Sequence, residues 1–198
     1  MYGKVGAQVL SSGGQGPLRI AGDGSLIVTL NNGKYVQAAK EGRLFSVANQ
    51  AAVATTAALA TTWTGLGVCN PTGSGKNLIL HEFGWAMSVV GSDDGVVGLM
   101  SSDDTGFAAA LTAKAAMNGQ GASIARCDDG ATIATPILER ICGTIGTGAT
   151  TTQIAVPQSV YQIDGSIILP PGRSIMTYTT TATTAGAVFF FLWEEEDA

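Results

Sequence analysis

Short apolar runs alternate along the chain with clusters of glycine, proline, asparagine and aspartate. The clearest unit begins with Trp63–Val68, turns through Asn70–Asn77 and continues in a long apolar stretch from Leu78 to Val90. The proline of this turn fixes φ, and its two glycines can take positive φ. The unit therefore predicts a strand, a tight loop and a long second strand, on which the rest of the chain packs.

The other apolar runs predict further strands, with turn residues at spacings of roughly 8–12 residues, which is typical of an all-β sandwich or barrel. These runs are Leu44–Val47, Gly95–Met100, Ser123–Cys127, Ile133–Ile141, Gln153–Val156, Ile163–Leu169, Ser174–Thr181 and Ala187–Trp193. We therefore expect an all-β body, a two-sheet antiparallel sandwich of about eight strands, and among such sandwiches a jelly roll is preferred.

Two alanine-rich stretches fit neither element cleanly. Alanine favours helix in Ala48–Thr62, but four threonines oppose it, because β-branched side chains lose rotamer freedom in a helix. We expect extended structure with a turn in this stretch. Phe107–Met117 is compatible with a short helix or a strand, and its residues leave both open.

The last apolar run, Val188–Trp193, carries large apolar side chains at both odd and even positions. Such a strand lies either at the centre of a sandwich or against another subunit. For the second case, the predicted subunit-interface residues are Phe189, Phe191 and Trp193. The acidic residues that follow, Glu194–Asp197, are interpreted as a solubilising end.

Residues 1–43 have a different character from the rest of the chain. Their first part, up to Gly24, is rich in glycine and has no sustained apolar period. Leu26–Leu30 and Tyr35–Ala39 flank the pair Asn32-Gly33, which is a strong signal for a hairpin turn. We therefore predict two parts, an extended N-terminal arm containing a β-hairpin at 1–43 and a β-sandwich body at 44–198.

Charge divides the chain at the same place. Residues 1–43 hold five basic and two acidic residues, net +3, whereas residues 44–198 hold five basic and thirteen acidic residues, net −8. The arm is expected either to dock on a partner or to fold back along its own acidic body. Its predicted partner-binding residues are Arg19, Lys34, Lys40 and Arg43. No lysine or arginine cluster is interleaved with aromatic residues, so direct nucleic-acid binding is not expected.

Composition narrows the class further. Charged residues make up only 13% of the chain, against about 25% in an average protein. A lightly charged surface favours a protein that buries much of itself against neighbours, and the 45% hydrophobic content argues against disorder.

No apolar stretch reaches the roughly 18 residues of a membrane span, and the N-terminus lacks the pattern of a signal peptide.

Two motifs suggest chemistry at first sight. Gly75-Lys76 matches part of a P-loop, but asparagine stands where the first glycine and the magnesium-binding hydroxyl belong, and no helical pattern follows. The three cysteines, Cys69, Cys127 and Cys142, contain no C-x-x-C pair. We therefore expect buried free thiols rather than a disulfide framework or a zinc site.

The remaining titratable residues give no stronger signal. Alternation along the strand predicts His81 on the same face as Phe83 and Trp85, which favours a core or interface residue over a catalytic base. Three acidic pairs favour turns and do not match a calcium loop, although the residues leave a bound cation open. These pairs are Asp93-Asp94, Asp103-Asp104 and Asp128-Asp129. We predict no catalytic residue, no metal site and no cofactor.

Three successive stretches resemble a known class of proteins. They are Phe45–Gln50 (FSVANQ), Gly67–Leu78 (GVCNPTGSGKNL) and Leu169–Ser174 (LPPGRS). Together they are similar to virion structural proteins of tailed bacteriophages, and most similar to small head-decoration, or cement, proteins. The likeness covers about residues 44–194, and its motifs are turn motifs. It implies a jelly-roll body, trimers on the outside of the capsid shell and no catalysis.

The leading hypothesis is a virion structural protein, not an enzyme, that binds the major capsid protein at the capsid surface and stabilises the shell. It would be made in the host cytoplasm, would form homotrimers, and would bind neither nucleic acid nor membrane. The alternative is a receptor- or carbohydrate-binding module of a phage tail or fibre. In that case the sugar-stacking residues would be Trp63, Trp85, Tyr161 and Tyr178.

Overall fold

The structure is a computed structural model of the 198-residue chain. It describes residues 33–88, 95–103, 106–117, 119, 121–145, 158–183 and 186–198. Several sequence predictions lie outside these residues. They are the glycine-rich stretch before Gly24, Arg19, the strand Leu26–Leu30, the pair Asp93-Asp94, Asp104 and the strand Gln153–Val156.

The chain forms two compact units, Met1–Val36 and Gln37–Ala198. A short helix, α1 (Val36–Lys40), lies where the second strand of the hairpin was predicted, so that part of the prediction is wrong. Alanine, glutamine and lysine are strong helix formers, and they outweigh the Asn-Gly turn signal. The helix is terminated by Gly42, two residues after its last residue; Gly42 has a φ of 71°, and its amide donates to Ala39 O at 3.1 Å.

Ten strands lie within the described residues, and they pair antiparallel throughout. They are β1 (Leu44–Ala48), β2 (Thr62–Asn70), β3 (Lys76–Met87), β4 (Gly95–Ser102), β5 (Lys114–Ala115), β6 (Arg126–Thr132), β7 (Ile137–Ile145), β8 (Gln158–Leu169), β9 (Arg173–Thr179) and β10 (Ala187–Asp197).

The strands form two five-stranded sheets, which pack face to face as a sandwich. The front sheet has the order β5-β1-β10-β3-β8, and the back sheet has the order β6-β2-β9-β4-β7. The predicted all-β sandwich of two antiparallel sheets is confirmed. Strand β10 lies at the centre of the front sheet, where it pairs with β1 on one side and with β3 on the other. The positions of the other strands in that sheet therefore depend on the position of β10.

Strand boundaries depart from the sequence prediction at several places. Strands β6 and β7 begin three and four residues later than predicted, at Arg126 and Ile137, and β8 begins earlier, at Gln158. The two alanine-rich stretches contain no helix. Residues 49–61 run extended with isolated bridges at Val53 and Ala57, and the stretch 107–117 holds the two residues of β5 and an isolated bridge at Leu111.

A bulge in β3 changes which side chains reach the core. Leu192 of β10 pairs with Glu82, and Trp193 pairs with Leu80, so His81 is an extra residue without a cross-strand position. The shift allows both Leu80 and Phe83 to face inward. The prediction that His81 shares a face with Phe83 is therefore wrong, because simple alternation does not continue through a bulge.

Aromatic side chains fill the space between the two sheets. Phe83 is their centre, with ring centroids 5.1 Å from Phe191, 5.5 Å from Trp85 and 6.1 Å from Phe189. Trp193 stacks on Phe45 at 6.3 Å. These side chains are at most 4% exposed, so the sandwich has a dry aromatic core that is held in place mainly by β3 and β10.

Part of the outer face of the back sheet is covered. Trp63, Met100 and Met176 form a second buried cluster there with Phe107 and Ile133. The ring of Phe107 stacks on Trp63 at 6.1 Å and lies directly over Gly67, where an added Cβ would come within 2.6 Å of the ring. A loop segment thus covers this part of the back sheet, whereas Ile137, Leu138 and Ile141 on β7 are 61%, 39% and 50% exposed.

Replacement of each of two adjacent aromatic residues on β10 by alanine tests this arrangement. Phe189 is 1% exposed, and we expect Phe189→Ala to lower the free energy of unfolding by about 3–5 kcal/mol, through lost burial and a residual cavity. Phe190→Ala, the matched control on the outer face, should lower it by less than about half as much. Urea denaturation measures both values, and equal losses would contradict the assigned orientation of β10.

Thiol reactivity tests the back sheet independently. Cys69 and Cys127 are fully buried and Cys142 is half-buried, and all three are free thiols, as predicted. Burial raises the pKa of Cys127 to about 12 and that of Cys142 to about 11. At pH 8 we expect slow labelling of Cys142 by a disulfide reagent, none at the other two, and labelling of all three in urea. Rapid modification of Cys127 in the folded protein would contradict the structure.

Candidate interaction surface

The outer face of the front sheet carries rows of side chains that run across the strands, since cross-strand partners point to the same side. The upper row is Ala48, Phe190, Gly84 and Val160, beside the pair Val188 and Ala86. The middle row is Ser46, Leu192, Glu82 and Gln162. The lower row is Leu44, Glu194, Ile79 and Ile168. The face is therefore apolar at its upper end, and at its lower end Glu194 lies between apolar residues.

Phe190 dominates the apolar end. Its ring lies flat on the sheet over Gly84, where an added Cβ would come within 2.0 Å of a ring carbon. Only a glycine leaves room for the ring in this position. The ring and its neighbours remain half-buried, and Val160 beside them is 46% exposed. A hollow of about 150 Å³ lies against this row, lined by Ala48, Ala86, Val160, Val188 and Phe190 among others.

The two outer faces of the sandwich are therefore unlike. On the back sheet, Phe107 and Ile133 cover part of the outer face and leave the apolar residues of β7 exposed, whereas no described residue outside the front sheet covers the apolar rows around Phe190. Half-exposed aromatic and aliphatic side chains on a flat sheet are typical of a surface that binds another macromolecule. We call this set, Ala48, Ala86, Val160, Val188, Phe190 and Leu192, the apolar face.

An ion-pair cluster holds the acidic end of the same sheet. The Arg43 guanidinium bonds to Glu41 at 2.6 Å, to Glu196 at 3.2 Å and to Glu194. Glu194 also lies 3.3 Å from His81 Nε2. Hydrogen bonds from Gln37 and Arg43 lower the pKa of Glu41, and the bond to Glu41 raises the pKa of Arg43.

The acidic end of the chain is part of β10, and its carboxylates are paired. Glu195 is buried and accepts hydrogen bonds from Ser123 Oγ at 2.5 Å and from the Ile124 amide at 3.1 Å. Asp197 bonds to Lys76 at 2.5 Å, and this bond lowers the pKa of Asp197. The interpretation of this stretch as a merely solubilising end is therefore wrong, since the carboxylates fasten β10 to its neighbours.

The predicted arm residues are spread over different surroundings. Arg19 lies outside the described residues. The Lys34 ammonium lies 4.9 Å above the ring of Tyr35. Lys40 is the last residue of α1, and its side chain is exposed. Arg43 contacts the carboxylates of its own body, which leaves its guanidinium committed within the subunit.

The predicted subunit-interface residues lie in the core instead. Phe189, Phe191 and Trp193 are 1%, 0% and 0% exposed, so they have no surface left for a second subunit. The prediction chose the wrong face of β10, because apolar residues occupy both faces and alternation alone cannot say which one is inside. The structure assigns the outer positions to Val188, Phe190 and Leu192.

The residues considered for chemistry have structural roles. The Asn70–Asn77 turn leads into β3 rather than a helix, and Lys76 pairs with Asp197. Asp128 accepts hydrogen bonds from the Ala108 and Asp129 amides, both at 2.9 Å, and so ties a loop to β6. Asp103 pairs with Arg173. Among the described residues, no three His, Cys, Asp or Glu side chains are grouped to hold a metal ion.

The residues named for sugar stacking are also largely inside. Trp63 is 1% exposed and Trp85 is 4% exposed, with their ring nitrogens bonded to the carbonyls of Thr177 and Thr144. Tyr161 and Tyr178 are half-buried and pack against the two core clusters. No helix in the described part of the chain is long and apolar enough to cross a membrane.

Comparisons of the chain with protein-family models, with curated proteins and with solved structures find no match.

Replacement of Arg43 tests the ion-pair cluster. We expect Arg43→Met to lower the free energy of unfolding by about 1 kcal/mol at neutral pH, because Glu194 loses its guanidinium partner. The pKa of Glu41 is lower in the folded protein than its ordinary value of 4.5. The stabilisation that comes from Glu41 is therefore fully present above pH 4.5, and it is lost as the pH falls through the pKa of the folded state. The difference in Tm between wild type and variant should therefore shrink from pH 7 to pH 3.

Lys114→Met is the matched control, since Lys114 is exposed on β5 and pairs with no carboxylate in the described chain. It should change Tm little at any pH. A Tm difference for Arg43→Met that stays constant down to pH 3 would contradict the electrostatic origin of the stabilisation.

Proposed function

We propose that the chain is a virion structural protein of a tailed bacteriophage, a decoration protein that binds the outside of the capsid and stabilises the shell. The observation that carries this proposal is the apolar face, a surface centred on Phe190 that no described residue outside the front sheet covers. Such a surface fits a broad partner surface better than it fits a small substrate.

The composition of the chain supports the same function. Charged residues are only 13% of the total, and four of them form the acidic end of β10. A subunit with so few charges is suited to a setting in which much of its surface is covered by neighbours. The residues that make the chain resemble decoration proteins, FSVANQ, GVCNPTGSGKNL and LPPGRS, lie at strands and turns of the sandwich.

The strand order supports a jelly-roll assignment. Without the short β5 and the peripheral β6, the sheets have the orders β1-β10-β3-β8 and β2-β9-β4-β7. This is the order expected for two Greek keys in which the first and last strands are paired. Jelly rolls are common among virus structural proteins, so the assignment agrees with a role in the virion.

The proposed mechanism is cementing of the shell by repeated weak contacts. Each subunit would place its apolar face against major-capsid subunits, and the resemblance implies that three copies act together as a homotrimer. Once one subunit of the trimer is bound, the other two are held at a high effective concentration near their own binding sites. The trimer therefore attaches strongly even though each single contact is weak. Shell rupture would then require many such contacts to break together.

Capsid rupture tests the proposal directly. Capsids of the phage that encodes the chain, prepared without the protein, should bind it and then rupture at a higher temperature. Capsids that bind the protein without any change in rupture temperature would overturn the cementing role, and capsids that do not bind it would overturn the proposal as a whole.

A pair of variants connects the test to the apolar face. We expect Phe190→Ser to weaken capsid binding at least about tenfold, because a central aromatic anchor is lost. The matched control is Leu59→Ser, since Leu59 is 43% exposed in the segment that bridges to the back sheet. Equal weakening by both variants would remove the apolar face as the contact surface.

A further inference from the structure

A groove of about 310 Å³ opens at the side of the sandwich where β8 and β7 form the edges of the two sheets. Its lining includes the apolar residues Ile167 and Ile168 together with two guanidinium groups, Arg140 and Arg173. The volume is near the lower end of what specific ligand sites have, and it suits one or two side chains better than a whole small molecule.

The two arginines of the groove are not equivalent. Arg173 pairs with Asp103 at the rim of the groove. Glu139, the nearest carboxylate on β7, accepts a hydrogen bond from Ser101 at 2.8 Å. Arg140 is half-buried, and it donates through one nitrogen to Ser166 Oγ at 2.8 Å. No carboxylate in the described part of the chain pairs with it.

Arg140 is therefore held in position with most of its donors available. A guanidinium has five N–H donors in a rigid fork, and a single bond to Ser166 leaves enough of them for a bidentate contact with a carboxylate. Ser166 is itself oriented, since its hydroxyl donates to Ile163 O at 2.6 Å. The arrangement favours a planar anion that approaches from the mouth of the groove.

The strand beside Arg140 can pair with a further strand. Within the described residues β8 is bonded only to β3, so its other edge presents backbone N–H and C=O groups. The usable edge is short. It is bounded by the bulge at Asp164 and Gly165, with φ of 51° and 76°, and by Pro170, which leaves residues 166–169. Ile168 within this window is 53% exposed.

We propose that this groove binds an extended segment of a partner polypeptide. The segment adds to the edge of β8 at residues 166–169 and places one carboxylate side chain on Arg140. Its apolar side chains rest on Ile167 and Ile168. The rest of the segment is uncharged, because residues 44–198 carry a net charge of −8 and would repel a generally acidic peptide. The inference does not depend on capsid decoration.

Peptide binding to the full chain tests this site. The probes are the pentapeptide acetyl-Val-Thr-Glu-Val-Thr-amide and the same peptide with glutamine in the central position. We expect the glutamate peptide to bind about tenfold more tightly, because it alone forms a charge-assisted bond with the guanidinium. It should also slow hydrogen exchange in residues 166–169. No binding by the glutamate peptide, or equal affinity for both, would overturn the proposal.

Two variants assign the effect to Arg140. Arg140→Gln should abolish the preference for glutamate, whereas Arg126→Gln should keep it, since Arg126 is exposed on β6 at the far edge of the same sheet. Equal loss in both variants would indicate general charge attraction and would overturn the site. Ser166→Ala removes only the hydroxyl that orients Arg140, and it should reduce the preference severalfold in a protein with unchanged Tm. An undiminished preference in Arg140→Gln or Ser166→Ala would also contradict the proposal.

Discussion

The alternation of side chains along β10 is the constraint on which the rest of the sandwich depends. Ala187, Phe189, Phe191 and Trp193 face inward, and they meet Phe83 and Phe45 from the neighbouring strands. The same alternation necessarily directs Val188, Phe190 and Leu192 outward, so a single strand supplies both the aromatic core and the centre of the apolar face. A shift of one residue would exchange these sets, and the bulge at His81 keeps β3 in register with this strand.

Electrostatics secure the same strand at its polar end. An apolar strand that ends in four acidic residues would fray if those carboxylates only repelled one another. Arg43, His81 and Lys76 lie opposite them, and Glu195 turns inward to the Ser123 hydroxyl and the Ile124 amide. The front sheet is thus held by packing at one end and by ion pairs at the other, and its upper outer face has no cover among the described residues.

Local signals in the sequence predicted most of the fold. Turn residues and β-branched runs located the sandwich strands, because these signals act within a few residues. The sequence did not reveal which face of β10 is inside, since both faces are apolar, nor the bulge at His81, which depends on pairing with β8 and β10. It also missed α1, where helix-forming residues follow a hairpin signal. The Arg140 groove gave no signal, because its residues come from strands that are distant in the chain.

The central claim is that the apolar face is where the protein meets its partner. Hydroxyl-radical footprinting of the protein, free and bound to capsids, measures this directly through the oxidation of individual side chains. The account predicts that oxidation of Phe190 and Leu192 falls on binding, while oxidation of the exposed residues Leu59 and Met117 is unchanged. Protection of Leu59 or Met117 with Phe190 still oxidised at its free rate would contradict the account.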